Sequence, residues 1–368
     1  MKRVPFRERV LLMIELRNSF VIFVLNTGST STKLSLFRDT NVESSQTFRH
    51  SQHELDQYDR LWDQFDFRLR IAVGWLKTQS TQISAAVGIG GLLKPLPGGT
   101  YSVNDVMIAD ARADLQGEHA SNLSCAIIGQ IGREHGCPAF VVDPVSVDEF
   151  GPLARYSGHP LIKRKSLSHA LNIHAAARRA AETIGKHLAD TNFVIAHLGG
   201  GISISPVKGG RIVDANDASS DGPFSPERTG GLPLQQFIDI CFSGDYTRQE
   251  VRKMVMGKGG LLAYVGTNSA REVETRAENG DATALEIYQA MAYQIAKEIG
   301  AMATVLNGEI DAIILTGGLA GSIMLTDWIR ARVGFISRIL VYPGEDEMRS
   351  LALGALRVLQ GKEKALEY

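Results

Sequence analysis

Residues 22–37 begin as an apolar run, pass through a polar turn and resume as alternating apolar and polar positions. Ile22-Phe23-Val24-Leu25 predicts a buried strand, and Leu34, Leu36 and Phe37 predict a second strand returning beside it. The pattern recurs at 193–215: a strand, Gly199-Gly200-Gly201, an alternating strand, the turn Lys208-Gly209-Gly210 and a third strand. These two turns lie about 170 residues apart, close to half the chain, as in a duplicated two-lobed protein. Ile313-Ile314-Leu315 feeds a third strand-end turn at Thr316-Gly317-Gly318. Three such turns suggest one nucleotide gripped between two similar lobes.

Helical spacing predicts helices at 53–78, 119–135, 165–188, 284–307 and 347–360. A strand within 84–95 ends in a glycine loop, and Ala139-Phe140-Val141-Val142 is a short buried strand capped by Asp143 and ended by Pro144. The Pro- and Gly-bearing stretch 149–160 reads as the passage between lobes. Alternating strands and helices argue for an α/β fold.

The length of 368 residues suffices for two domains with real cores. A net charge of −1 supplies no electrostatic footprint for nucleic acid or an anionic membrane. Cys125, Cys137 and Cys241 form no CxxC or Cys/His pattern, so they are expected as buried, reduced thiols of a cytoplasmic protein. Residues 1–20 are basic and partly apolar, but Val10-Leu11-Leu12-Met13-Ile14 is too short for a signal core or a membrane span. This stretch is expected to be an N-terminal extension, or an over-long start with Met13 the initiator.

The first turn, Asn26-Thr27-Gly28-Ser29-Thr30-Ser31-Thr32-Lys33, concentrates hydroxyls, an amide, a glycine and an ammonium. Hydroxyls and N–H groups donate to oxygen, Gly28 permits close backbone approach, and Lys33 adds charge, so the turn suits phosphate. No Gly-Lys-Ser/Thr ending and no following helix make it a Walker loop.

Together with this turn, eleven further runs carry a resemblance. They include Gly90-Gly-Leu-Leu-Lys-Pro95, Glu118-His-Ala-Ser-Asn122, Val142-Asp-Pro144, Ser168-His-Ala-Leu-Asn172, Ala196-His-Leu-Gly-Gly-Gly201, Gly222-Pro-Phe-Ser-Pro-Glu-Arg228, Leu315-Thr-Gly-Gly318 and Tyr342-Pro-Gly-Glu345. In this order, from about residue 21 onward, the chain closely resembles the butyrate kinases of the acetokinase family, within the actin/hexokinase/heat-shock-ATPase superfamily. The resemblance implies a two-lobed, duplicated actin-like ATPase (ribonuclease H-like) fold with an interlobe nucleotide cleft. It implies a first lobe at 1–148, with the C-terminal helix 348–368 packing back on it, and a second lobe at 149–347. It also implies reversible transfer of the γ-phosphoryl of ATP to a short-chain carboxylate, giving an acyl phosphate and ADP, with Mg²⁺, in a homo-oligomer of two or more chains. The chemistry is consistent: a carboxylate is ionised at neutral pH and needs no general base, but two anions must meet, so cations and donors are required.

By resemblance, Asn26, Gly28, Ser29, Ser31 and Lys33 hold phosphate, while His197 with Gly199, Gly200 and Gly201 sits on the β- and γ-phosphates. Gly317 and Gly318 lie beside the adenosine. Asp143 and Glu347 belong to the metal, with Glu345 as the alignment alternative to Glu347. His119 and His169 match active-site histidines, and Arg228 matches the arginine that stabilises the phosphoryl group in transit. Two positions depart from the family wording. Ile89 stands where an arginine is usual, removing five N–H donors and a charge, and 216–222 is one residue short. Ile89 gives the second reading: a nucleotide-binding regulatory ATPase of the same fold with lost or weak carboxylate kinase activity.

Overall fold

The computed structural model describes residues 19–344 and 346–368. Expectations for residues 1–18 and Glu345 lie outside the described residues. The chain divides into two units. Unit 1 takes the chain up to Pro95, Gly99–Ser146 and Glu347–Tyr368; unit 2 takes Leu96–Gly98 and Val147–Asp346.

Unit 1 is built on β1 (Val21–Thr27), β2 (Ser31–Arg38), β3 (Asn41–Arg49), β4 (Ala85–Ile89), β5 (Thr100–Ser102) and β6 (Ala139–Val142), ordered β3-β2-β1-β4-β6-β5. The predicted hairpin is β1 against β2, antiparallel, with Asn26 opposite Lys33. Strands β1, β4 and β6 run parallel and bury their apolar runs, as a sheet covered on both faces must. The helix Asn122–His135 lies on one face, where Gly88 leaves room: a Cβ there would fall 2.2 Å from Ser124 Oγ. Gly88 is level with Val141, so Val142 points to the opposite face. There the helix Glu347–Leu359 packs on β1, β4 and β6, and a Cβ on Gly354 would meet Val142 at 2.6 Å.

Unit 2 repeats the theme with β7 (Asn192–Leu198), β8 (Ile202–Lys208), β9 (Arg211–Ile212), β10 (Ala312–Gly317) and β11 (Ile339–Pro343), ordered β11-β10-β7-β8-β9. β11, β10 and β7 are parallel, and β7-β8-β9 is the predicted antiparallel series. The helix Ala282–Val305 buries Tyr288, Met291, Ile295 and Ile299 in a core shared with Val194, Ile204 and Leu315. Their i, i+3, i+7 and i+11 spacing is the apolar stripe visible in the sequence.

Several expectations need correction. The region 53–78 is not one helix: Ser51 caps the short Gln52–Leu55, a 3₁₀ turn follows at Leu61–Gln64, and the long helix is Phe65–Thr78. The helix expected at 165–188 is Ala170–Ile184. It starts after Ser166, whose hydroxyl is bonded to the Val147 carbonyl, and stops at Gly185, left-handed at φ 69°. The polar edge strand β3 and the helices between 234 and 278 carried no clear signal. Of the cysteines, Cys125 is buried, its thiol pushed up to about 12 by burial, but Cys241 is exposed.

Candidate active site

In unit 1 the predicted residues collect at the carboxyl ends of three adjoining parallel strands. Leu25 is level with Gly88, and Ile89 with Val142, so Asn26, Ile89 and Asp143 follow one edge of the sheet. Open α/β sheets place ligands at this edge. Asn26 is buried and its amide donates to Glu347 Oε2 at 2.6 Å, fixing the first residue of the last helix beside the 26–33 turn. Thr27 Oγ1 donates to the Ala120 carbonyl (2.9 Å), tethering the segment of His119, whose Nδ1 lies 2.7 Å from Ser121 Oγ. Ser29 and Lys33 are exposed on the turn, Ser31 is half-buried, and the Gly28 N–H donates to the Ser31 carbonyl at 2.9 Å.

Asp143 is buried at φ 40°, a left-handed conformation that Asp tolerates better than most side chains. Its Oδ1 accepts from the Gly99 N–H at 2.7 Å, and its own N–H donates to the Gly99 carbonyl at 2.9 Å. Among the described residues no group of three or more His, Cys, Asp or Glu could cage a metal. Asp143 and Glu347 are the carboxylates expected at a metal from the sequence, and both belong to unit 1. Mg²⁺ keeps several waters and takes one or two carboxylates plus substrate phosphates, so it does not require a cage of protein ligands.

The residue that sequence reasoning missed here is Arg68, completely buried on Phe65–Thr78. Its guanidinium donates to the carbonyls of Gly28 (2.8 Å), Ser29 (3.1 Å) and Ser31 (2.9 Å), and to Gln64 Oε1 from Nε (3.0 Å) and Nη2 (2.9 Å). An arginine on an amphipathic helix otherwise reads as a solvated charge, so no local signal marked it.

In unit 2 the same edge carries the other set. His197, on β7, is level with Thr316 on β10. Gly317 is required: its φ is 91°, and a Cβ would fall 2.4 Å from the Leu198 carbonyl oxygen. Gly318 opens the 3₁₀ turn Gly318–Gly321. The rings of His169 and His197 stack at 4.1 Å between centroids, 24° from parallel, with His169 Nδ1 at 2.9 Å from Ser203 Oγ. Burial, then His197 and Arg228, hold the His169 imidazole well below its ordinary value, so it is neutral at pH 7. A neutral ring can donate or accept but brings no charge of its own.

Arg228 lies across the glycine turn. A Cβ on Gly201 would fall 2.3 Å from Arg228 Nη1, which donates to the Ala218 carbonyl at 3.0 Å. Ser225 Oγ donates to the Gly200 carbonyl (2.6 Å), pinning the turn from the same segment. Gly199, Gly200 and Gly318 line a hollow of about 410 Å³ with Pro226, Glu227, Asn268 and Leu319. Asn268 Nδ2 donates to Glu227 Oε2 at 3.3 Å; neither residue was singled out from sequence. A hollow of about 480 Å³ in unit 1, between Trp62, Phe65, Arg112 and Arg133, includes none of the predicted residues.

Gly201→Ala should therefore displace the Arg228 side chain rather than the backbone. The expected outcome is an unchanged melting temperature with kcat lowered by about 10- to 100-fold, the cost of misplacing one group by an ångström. Steady-state rates beside a thermal melt check it; normal kcat would show that Arg228 acts from another rotamer.

Comparison with known proteins bears on this constellation. A family model described as "Acetokinase family" matches residues 156–329. Butyrate kinase 2 of Clostridium acetobutylicum is 48% identical over 353 residues, covering 95% of this chain and 99% of that protein. The chain belongs to the acetokinase family. A probable butyrate kinase of Listeria innocua is 46% identical over 354 residues, covering 95% of this chain and all of the other. Among solved structures, Porphyromonas gingivalis acetate kinase matches this chain with a TM-score of 0.76 at 16% identity, over 93% of this chain and 100% of that one. A propionate kinase from Francisella tularensis gives 0.72 at 19%, over 91% and 98%. At such identities these two speak for the fold, which is the mixed α/β, two-sheet fold expected of an actin-like ATPase. Nothing in the comparisons favours a regulatory ATPase over an acetokinase that works as a kinase.

Proposed function

We propose that the chain transfers the γ-phosphoryl group of ATP, reversibly and in line, to butyrate or a branched-chain analogue, giving an acyl phosphate and ADP. The observation that carries this reading is 48% identity to a butyrate kinase over nearly the whole of both chains. The strand-end residues support it chemically. Asn26, Ser29, Ser31 and Lys33 are the donors and charge for phosphate in unit 1. Asp143 and Glu347 would hold Mg²⁺, which neutralises charge on the transferring group. In unit 2, Arg228 supplies the permanent charge for the phosphoryl in flight, and the neutral His169 and the His197 ring orient donors around it. The hollow beside Gly199, Gly200 and Gly318 is of a size for the nucleoside. Capture of the acyl phosphate as its hydroxamate, across C2–C6 acids with ATP and Mg²⁺, tests the function. A rate highest at C4 or above is expected, and no product from any acid would overturn it.

Ile89 bears on the choice of acid. It is half-buried at the end of β4, level with Val142 and beside the strand that leads to Asp143. An apolar wall there favours longer chains over acetate and omits a charge where two anions meet. Ile89→Arg is expected to raise kcat about 10-fold, and to narrow the preference for butyrate over acetate. Rates and KM for both acids in the two proteins decide it; an unchanged kcat would show that another cation already serves.

We further read the protein as a cytoplasmic homo-oligomer. No helix of the described residues is long and apolar enough to cross a membrane. On the helix Leu234–Phe242, Leu234, Ile238 and Phe242 are exposed four residues apart, a stripe that supports self-association. Light scattering of the purified chain would test it.

A further inference from the structure

Arg68 is not explained by packing alone. All five of its N–H donors are committed: three to the turn carbonyls of Gly28, Ser29 and Ser31, two to Gln64 Oε1. Among the described residues no carboxylate pairs with it. A buried guanidinium is normally matched by an acid, because an uncompensated charge in the interior is costly. Burial pushes its pKa down to about 10, which still leaves it charged at neutral pH. The molecule thus keeps a net positive charge directly behind a turn made of Ser, Thr and Gly.

The direction of the grip matters as much as the charge. No cis peptide bond occurs among the described residues, so each carbonyl points opposite to the N–H of the next residue. Drawing in the carbonyls of Gly28 and Ser29 turns the N–H groups of Ser29 and Thr30 away from Arg68, toward the exposed side of the turn. Successive outward N–H groups over a positive charge form an anion-binding concavity. Thr32 Oγ1, 3.4 Å from Nη1 and 2.9 Å from His50 Nε2, extends the support beneath it.

We propose that Arg68 is the positioning residue of the phosphate turn, presenting the Ser29 and Thr30 amides outward and biasing the turn toward anions by its unpaired buried charge. It acts through the turn and touches no substrate. The inference rests on the reading of 26–33 as a phosphate turn.

Gln64→Glu is the informative substitution. It keeps the acceptor for Nε and Nη2, places a carboxylate about 3 Å from the guanidinium and cancels its charge. Folding gains a buried ion pair partner, so the melting temperature should hold or rise. The dissociation constant of the β,γ-imido analogue of ATP, with Mg²⁺, is expected to rise about 10-fold by calorimetry. A change of less than twofold in the folded variant would overturn the proposal, since a merely structural arginine would not transmit charge to the turn. Arg68→Lys is the second arm, keeping the charge but losing the fork. It should lower kcat about 10-fold while the analogue binds within about threefold of the parent. Unchanged kcat in the folded protein counts against the positioning role, also where Gln64→Glu does not fold. Because the first readout is binding, it stands apart from the kinase reading: a parent that makes no acyl phosphate removes that reading, whereas equal analogue binding in Gln64→Glu removes this one.

Discussion

Arg228→Ala is expected to lower kcat roughly 10³-fold or more, with the dissociation constant for ATP held within about threefold. The separation follows from where the side chain lies. Arg228 reaches across Gly201 and is anchored by the Ala218 carbonyl, while the turn backbone is pinned independently by Ser225. Truncation removes a cation without releasing the turn that contacts nucleotide in the proposed reading. A charge useful chiefly when the phosphoryl group is in flight is felt in kcat rather than in ground-state affinity. Pre-steady-state rates with equilibrium ATP binding in the same variant make the check. Equal losses in both would make Arg228 a clamp on bound ATP, not a transition-state group.

Asp143→Asn should cost on the order of 100-fold or more in Mg²⁺-dependent turnover, since a neutral amide is a poor ligand for a hard dication. The fold should tolerate it. Asparagine also adopts the φ of 40° found here, and its Oδ1 can still accept from the Gly99 N–H. Asp143→Ala is the worse experiment, because it would strain the backbone and orphan that N–H as well. A Mg²⁺ titration of rate, beside a melting curve, distinguishes the outcomes. Unaltered metal dependence would leave Asp143 as a turn residue only.

What the sequence discloses follows from how far each signal reaches. The hairpin at 21–38, the strands flanking Gly199–Gly201 and the turn at Gly317 are written in short apolar runs broken by glycine, so they are legible locally. Asn26 stands out locally, as an amide at a strand end beside a hydroxyl-rich turn, whereas Asp143 and Arg228 are marked by the family wording around them, Val142-Asp-Pro144 and Gly222–Arg228. β3 escaped because an exposed edge strand need not alternate. The break in 53–78 escaped because its causes are distant: Arg60 pairs with Asp114 at 2.8 Å, and Glu118 accepts from the Leu61 N–H at 2.7 Å. Arg68 escaped for the same reason, since the turn carbonyls it holds lie up to 40 residues away, and Gln64 escaped with it because its role is to hold Arg68. The overlong helix at 165–188 shows the opposite error: an alanine-rich composition outvoted Gly185.

The helix Glu347–Leu359 has a consequence for biosynthesis. It covers β1, β4 and β6, and its first residue receives the Asn26 amide across 321 positions of sequence. Translation at roughly 5–20 residues per second puts tens of seconds between the emergence of β1 and that of this helix. All 200 residues of Val147–Asp346 leave the ribosome in between as one continuous block. The unit begun first is therefore the last to be completed, and one face of its sheet waits without its cover while its neighbour in the chain folds. A nascent chain stalled just after Asp346 should bind chaperones through that uncovered face, and release should follow once Leu359 is free of the exit tunnel.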